Sequence, residues 1–237
     1  MESLNDIARY LPIFTTFISA YFGTVILGRW RAKPQARHLL WWGIGVYVYG
    51  VGTLVESMTT LMGWNVFLFK SWYISGALLG GAPLALGTVY LLIGKRAGHV
   101  GAILLLITVA VTSFFVIGSP IDYTKVEPHI LSSEVLQWQQ IRLVSPFING
   151  LAAIFLIGGA VYSAGFYMRH PEGRNRFIGN VLIAIGATLP GIGGMGSRMG
   201  MTELLYIGEL VGIIFIWYGY RECQKTPMPA ATAAATT

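Results

Sequence analysis

Apolar and polar positions divide the chain into seven long apolar runs joined by polar stretches. The runs are Ile7 to Leu27, Leu39 to Met62, Ser71 to Ile93, Val100 to Gly118, one ending near Tyr167, Phe177 to Met195, and Glu203 to Tyr220. A hydrocarbon core about 30 Å thick takes roughly 20 helical residues to cross, so each run predicts a membrane span. The expected fold is all-α: a polytopic seven-transmembrane helix bundle over residues 1–222. Residues 223–237, ending in KTPMPAATAAATT, read as a disordered cytoplasmic tail of low complexity.

Two stretches predict local departures from plain spans. The longest connection, Ser119 to Arg142, contains SSEVLQWQQIR, whose helix-start pattern at Ser132 or Ser133 predicts a fifth helix beginning outside the membrane. In the sixth run, PGIGGMGSRMG from Pro190 to Gly200 predicts a kinked, loosely wound helix end with close-packing glycines. A phosphate-binding reading of those glycines fails, because no strand precedes them. The pairs Gly76/Gly80 and Gly208/Gly212 read as helix-contact motifs.

Composition agrees with a membrane class. Charged residues are 11% of the chain and hydrophobic ones 54%, against roughly 25% charged in soluble domains. Cys223 is the single cysteine, so no intramolecular disulfide forms. The N-terminal MESLNDIARY lacks the basic region of a signal peptide, so the first span is expected to be retained.

The net charge of +6 is a topology signal once it is divided by side. Alternate connections plus the tail hold eleven cations: Arg29, Arg31, Lys33, Arg37, Lys95, Arg96, Arg169, Arg174, Arg176, Arg221 and Lys225. The other side holds five: Arg9, Lys70, Lys125, Arg142 and Arg198. The positive-inside rule then predicts the N-terminus outside and the C-terminus in the cytoplasm, which for a bacterial protein means the inner membrane. Arg29, Arg31, Lys33, Arg37, Arg169, Arg174 and Arg176 are expected to meet anionic lipid headgroups or an acidic partner subunit. Nucleic acid is not needed to explain them. All seven tryptophans fit aromatic belts at the two interfaces.

Chemistry narrows by elimination. His38, His99, His129 and His170 all fall near the surfaces, which argues against a transmembrane haem. The seventh run, ELLYIGELVGIIFIWYGY, has no lysine for a retinal Schiff base, which argues against a rhodopsin. No nucleophile elbow, HExxH or carboxylate cluster with metal-ligand spacing occurs, so no catalytic or metal site is assigned and the chain reads as a non-enzyme. Apolar grooves hold lipid, quinone or pigment without a sequence signature, so those three stay open.

The acidic set remains. Glu56 lies inside the second run and Glu209 inside the seventh, and an ionisable group at that depth is expensive and marks a functional site by default. Glu203, Arg198, Arg142 and Asn149 fall toward the same side. Together these six form the candidate ligand or proton site. Glu56 is expected either to pair with Arg198 or Arg142, or to hold a proton beside Glu209.

The blocks WWGIGVYVYGVGTLVES and SWYISGALLGGAPLALGTVYLL, in the second and third runs, resemble bacterial seven-helix sensor modules. Such modules precede the output domains of some histidine kinases and cyclases, and the resemblance implies sensing of an external or lipid-phase signal. After Tyr220 only 17 residues follow, which leaves no room for an output domain. The expected function is therefore exerted through partners, as an accessory subunit of a larger membrane complex or as a partner-dependent sensor. The alternative is a small-solute or proton-coupled carrier using Glu56 and Glu209.

Overall fold

Each of the seven apolar runs forms a helix long and apolar enough to cross a membrane. The computed structural model describes residues 7–225. The helices are α1 (Leu11–Ala32), α2 (Arg37–Met62), α3 (Val66–Trp72), α4 (Ala82–Leu92), α5 (Lys95–Gly118), α6 (Val144–Met168), α7 (Arg174–Arg198) and α8 (Thr202–Gln224). A π-helical segment, Tyr73–Leu79, joins α3 to α4, and the three together make the third span, Val66–Leu92. The tail expected to be disordered is helical as far as Gln224, and its residues 226–237 lie outside the described residues.

Six spans form a closed ring through the contacts α1–α2, α2–α4, α4–α6, α6–α7, α7–α8 and α8–α1. The fourth span, α5, stands outside it against α4 and the π segment. One end of the bundle carries the 119–143 connection (the connection end). The other carries the arginine-rich turns (the basic end).

The seam between α7 and α8 is built from glycine. Gly179 faces Gly219, Gly186 faces Gly212 and Gly193 faces Leu205, seven residues apart along each antiparallel helix. A Cβ on Gly186 would sit 2.6 Å from the Gly212 carbonyl oxygen, and one on Gly212 would sit 2.7 Å from that of Gly186. Small residues let membrane helices approach backbone to backbone, and here they do so along the whole pair. Pro190 lies against Gly212, filling the space a side chain would take. The loosely wound end expected for Pro190–Gly200 is therefore not found: α7 stays helical through Arg198, and the chain turns at Gly200 with φ +86°.

The third span starts earlier than the apolar run indicates. Asn65 accepts a hydrogen bond from the Leu68 amide and caps α3 at Val66. Seven residues later the helix widens into the π segment, then breaks at Gly80 (φ +31°) and Gly81. The Asn149 side chain donates to the Ala77 carbonyl at 2.8 Å, partnering backbone at the irregular end. Segments of this kind are frequent at functional sites.

The 119–143 connection does not form the long helix expected from Ser132. Ser132 does cap a helix, but only the 3-10 turn Ser133–Val135. Val135 and Leu136 are both buried against Val55, Phe69 and Tyr73, and burying consecutive residues extends the chain at Leu136 (ψ 127°). Helix resumes as the 3-10 turn Gln139–Leu143, which runs into α6. The connection closes over α2: the Trp64 amide donates to Pro128 at 2.8 Å, and His129 Nδ1 lies 3.4 Å from the Thr59 carbonyl oxygen.

Candidate functional site

The site follows from where the second, third and seventh spans meet. Gly52 of α2 packs against Gly76 of the π segment, with a would-be Cβ only 3.1 Å from the Gly76 Cα. That approach sets α3 beside the next turn of α2, which carries Glu56. Trp72 Nε1 donates to Glu56 Oε1 at 2.8 Å. From the facing side α8 delivers Glu209, whose carboxyl comes within hydrogen-bonding reach of that of Glu56. Tyr49 donates to the backbone carbonyl of Glu209 at 3.0 Å and ties α8 to α2 at this depth.

Glu56 is 4% exposed, and the Oε2 atoms of both Glu56 and Glu209 are buried with no hydrogen-bond partner. A carboxylate only accepts, so two of them in contact repel and leave acceptors unsatisfied. One proton between them turns that contact into a donor–acceptor pair. The arrangement can therefore bind and release a proton, with Trp72 fixing the orientation of one partner.

The two ends of the bundle treat this pair differently. Toward the basic end, Phe22, Ile26, Val46, Leu84, Ile213 and Tyr220 form an apolar cluster. Toward the connection end, a polar pocket of about 50 Å³ is lined by Arg9, His129, Thr202, Glu203 and Tyr206 among others. Tyr206 lies one helical turn from Glu209 on α8.

The six candidate residues separate in three dimensions. Glu56 and Glu209 meet, and Glu203 borders the pocket above them. Arg142 bonds to Gln139 at 2.5 Å and pairs with Glu134 at 3.5 Å on the surface. Arg198 is exposed at the end of α7 and forms no ion pair among the described residues. The expected arginine partner for Glu56 is thus replaced by Trp72 and Glu209. Asn149 serves the π segment instead.

Trp72 is the correction of most consequence. It was expected in an interfacial belt, and it is a ligand of the buried acid. Tyr49 was also missed; its only sequence signal is its position two turns before Glu56 on the same helix. The six basic-end arginines and Lys33 stay at that end, and two of the arginines rest on rings: Arg29 lies 5.8 Å from the Tyr220 centroid and Arg176 5.4 Å from that of Tyr167. Arg176 also donates to the Tyr167 hydroxyl at 3.2 Å.

A separate crevice of about 470 Å³ opens between α5 and α6. Val111, Thr112, Phe115, Trp138 and Val144 line it, and its surface is almost wholly apolar. Among the described residues no three His, Cys, Asp or Glu side chains converge as a metal ion would require. Comparison with protein-family models, with curated proteins and with solved structures gave no match for this chain.

Proposed function

We propose that this chain is a proton-responsive integral membrane protein that acts through partner subunits, as a sensor rather than an inert accessory. The observation that carries the reading is the buried Glu56–Glu209 contact, reached by polar side chains from the connection end and faced by an apolar cluster on the other. A group that exchanges protons with one compartment reports the pH of that compartment. The Lys/Arg asymmetry supports a connection end that faces outward, in a bacterial inner membrane. The resemblance of the second and third spans to seven-helix sensor modules points the same way.

Output passes to a partner in this reading. The basic end, with Arg29, Arg31, Lys33, Arg37, Arg169, Arg174 and Arg176, offers the charge that anionic lipid or an acidic cytoplasmic segment would meet. The crevice between α5 and α6 has the size and lining that a lipid or quinone tail needs.

One observation favours a second reading, a proton-coupled carrier. The third span is interrupted at Gly80–Gly81, and broken helices beside intramembrane acids recur in carriers.

Proteoliposomes with the connection end outward separate the two. A sensor predicts a change in tryptophan fluorescence after an external pH step, abolished in Glu209→Gln, with no dissipation of a pH gradient. Glu56-dependent dissipation would establish the carrier instead. A response only to internal pH, or one intact in both Glu56→Gln and Glu209→Gln, would overturn the proposal.

A further inference from the structure

Tyr206 occupies the position between the polar pocket and the acid pair. It lines the pocket at the connection end, yet the residue is only 4% exposed. Glu209 lies three residues further along α8, on the same helical face. Arg9 and Glu203 line the pocket with Tyr206, and the charges of Glu56 and Glu209 also act on its hydroxyl. His129, from the connection, completes the titratable groups of the pocket. The pocket, at about 50 Å³, has room for water, since one molecule needs roughly 10–15 Å³ of such space.

Two other hydrogen-bonding side chains beside the pair already have partners. Trp72 is a donor only, and its hydrogen goes to Glu56. The Tyr49 hydroxyl donates to the Glu209 backbone carbonyl. A phenol both donates and accepts, and Tyr206 places one in the pocket lining, one helical turn from Glu209.

We propose that Tyr206 is a proton relay between water in the pocket and the Glu56–Glu209 pair. This rests on the proton-responsive reading above and names the route by which that site exchanges. In the inward step, a hydronium ion in the pocket gives a proton to the phenol oxygen as the phenol's own hydrogen passes to a carboxylate of the pair. The phenol is regenerated, the hydronium becomes water, and one carboxylate becomes a carboxylic acid. The outward step is the reverse. Arg9 and Glu203 set the local charge at the mouth and hold no proton in transit.

Hydrogen–deuterium exchange of a buried carboxylic acid, followed by its infrared C=O stretch in the full chain in lipid nanodiscs, tests the relay. Tyr206→Phe should keep the band and slow its exchange roughly 10²-fold, the low end of what a positioned proton-transfer group contributes. Thr202→Trp, which fills the pocket and leaves the phenol in place, should slow exchange in the same direction. Tyr162→Phe, at an exposed tyrosine of α6 outside the pocket and the pair, should leave the rate unchanged. A Tyr206→Phe protein that keeps the band and exchanges as fast as wild type overturns the relay and leaves the acid pair standing. If Tyr206→Phe does not fold, unchanged exchange in Thr202→Trp overturns it instead. A wild-type protein with no such band removes both the relay and the reading beneath it.

Discussion

Trp72 of the third span donates its indole hydrogen to Glu56 of the second, at 2.8 Å between Nε1 and Oε1. The bond crosses between helices at a point where α2 and the π segment touch backbone to backbone, at Gly52 and Gly76. Among the described residues it is the only hydrogen bond the Glu56 carboxyl receives from a group that cannot itself titrate. Replacing the donor with Trp72→Phe leaves Oε1 buried and unsatisfied, at a cost of about 1–3 kcal/mol. Thermal unfolding in mild detergent should show the loss. It should shrink when Glu56→Leu is already present, because the two residues act as a unit.

The acid pair makes stability depend on pH in a defined direction. A native state that holds one proton between Glu56 and Glu209 binds more protons than the unfolded chain, in which both are ionised at neutral pH. Stability then falls as the pH rises through the range where the shared proton leaves. Glu56→Gln or Glu209→Gln supplies a neutral partner at every pH, so either variant should flatten the dependence. Melting temperatures measured across a pH series check this, and an equally steep fall in both variants would contradict it.

Hydropathy made the spans legible, and charge at depth marked the two acids. The rest depended on where helices begin. Taking the third run to start at Ser71 places Trp72 at the water interface, where a belt residue belongs. The Asn65 cap starts the helix at Val66 instead and carries Trp72 deeper, to the level of Glu56. The break at Gly80 and the π turn before it depend on partners from α2 and α6 that are distant in sequence. The Pro190–Gly200 end reads as loosely wound because local sequence does not show that its glycines pack on the α8 backbone, with the Pro190 ring beside Gly212. The meeting of Glu56 with Glu209 was one of two open expectations; the other failed because Arg142 lies on a surface turn beside Glu134.

The glycine seam that carries Glu209 sorts glycines into two kinds. Gly186→Leu drives a side chain into the α8 backbone, where the first added carbon already lies 2.6 Å from the Gly212 carbonyl oxygen. Overpacking of this kind costs about 1–3 kcal/mol or more. Gly191 and Gly194 on the same helix have open space where a Cβ would go. Alanine at either should be neutral or stabilising, by up to about 1 kcal/mol from helix propensity. Unfolding of Gly186→Leu, Gly191→Ala and Gly194→Ala in detergent distinguishes the two kinds.

The connection over the pocket has its own acid sensitivity. Asp122 accepts from the Thr124 hydroxyl at 2.5 Å and the Thr124 amide at 3.2 Å, and Lys125 lies 3.5 Å away. The Thr124 hydroxyl, then the amide and the Lys125 charge, hold its carboxyl below the ordinary value of 3.8. The contribution of this turn is therefore complete above that value and is lost as the pH falls through the lowered one. Amide exchange at residues 122–126 should speed up under strong acid. Asp122→Asn should speed it at neutral pH, leaving α2 and α8 unaffected.

The most direct measurement is the equilibrium infrared spectrum of the protein in lipid, titrated across pH. A shared proton predicts a C=O stretch of a buried carboxylic acid at neutral pH that disappears in alkali. That band should be absent or displaced in both Glu56→Gln and Glu209→Gln, and shifted in Trp72→Phe as its hydrogen bond is lost. A spectrum with no protonated carboxyl at neutral pH, or a band untouched by either glutamine variant, would show that Glu56 and Glu209 do not hold a proton between them.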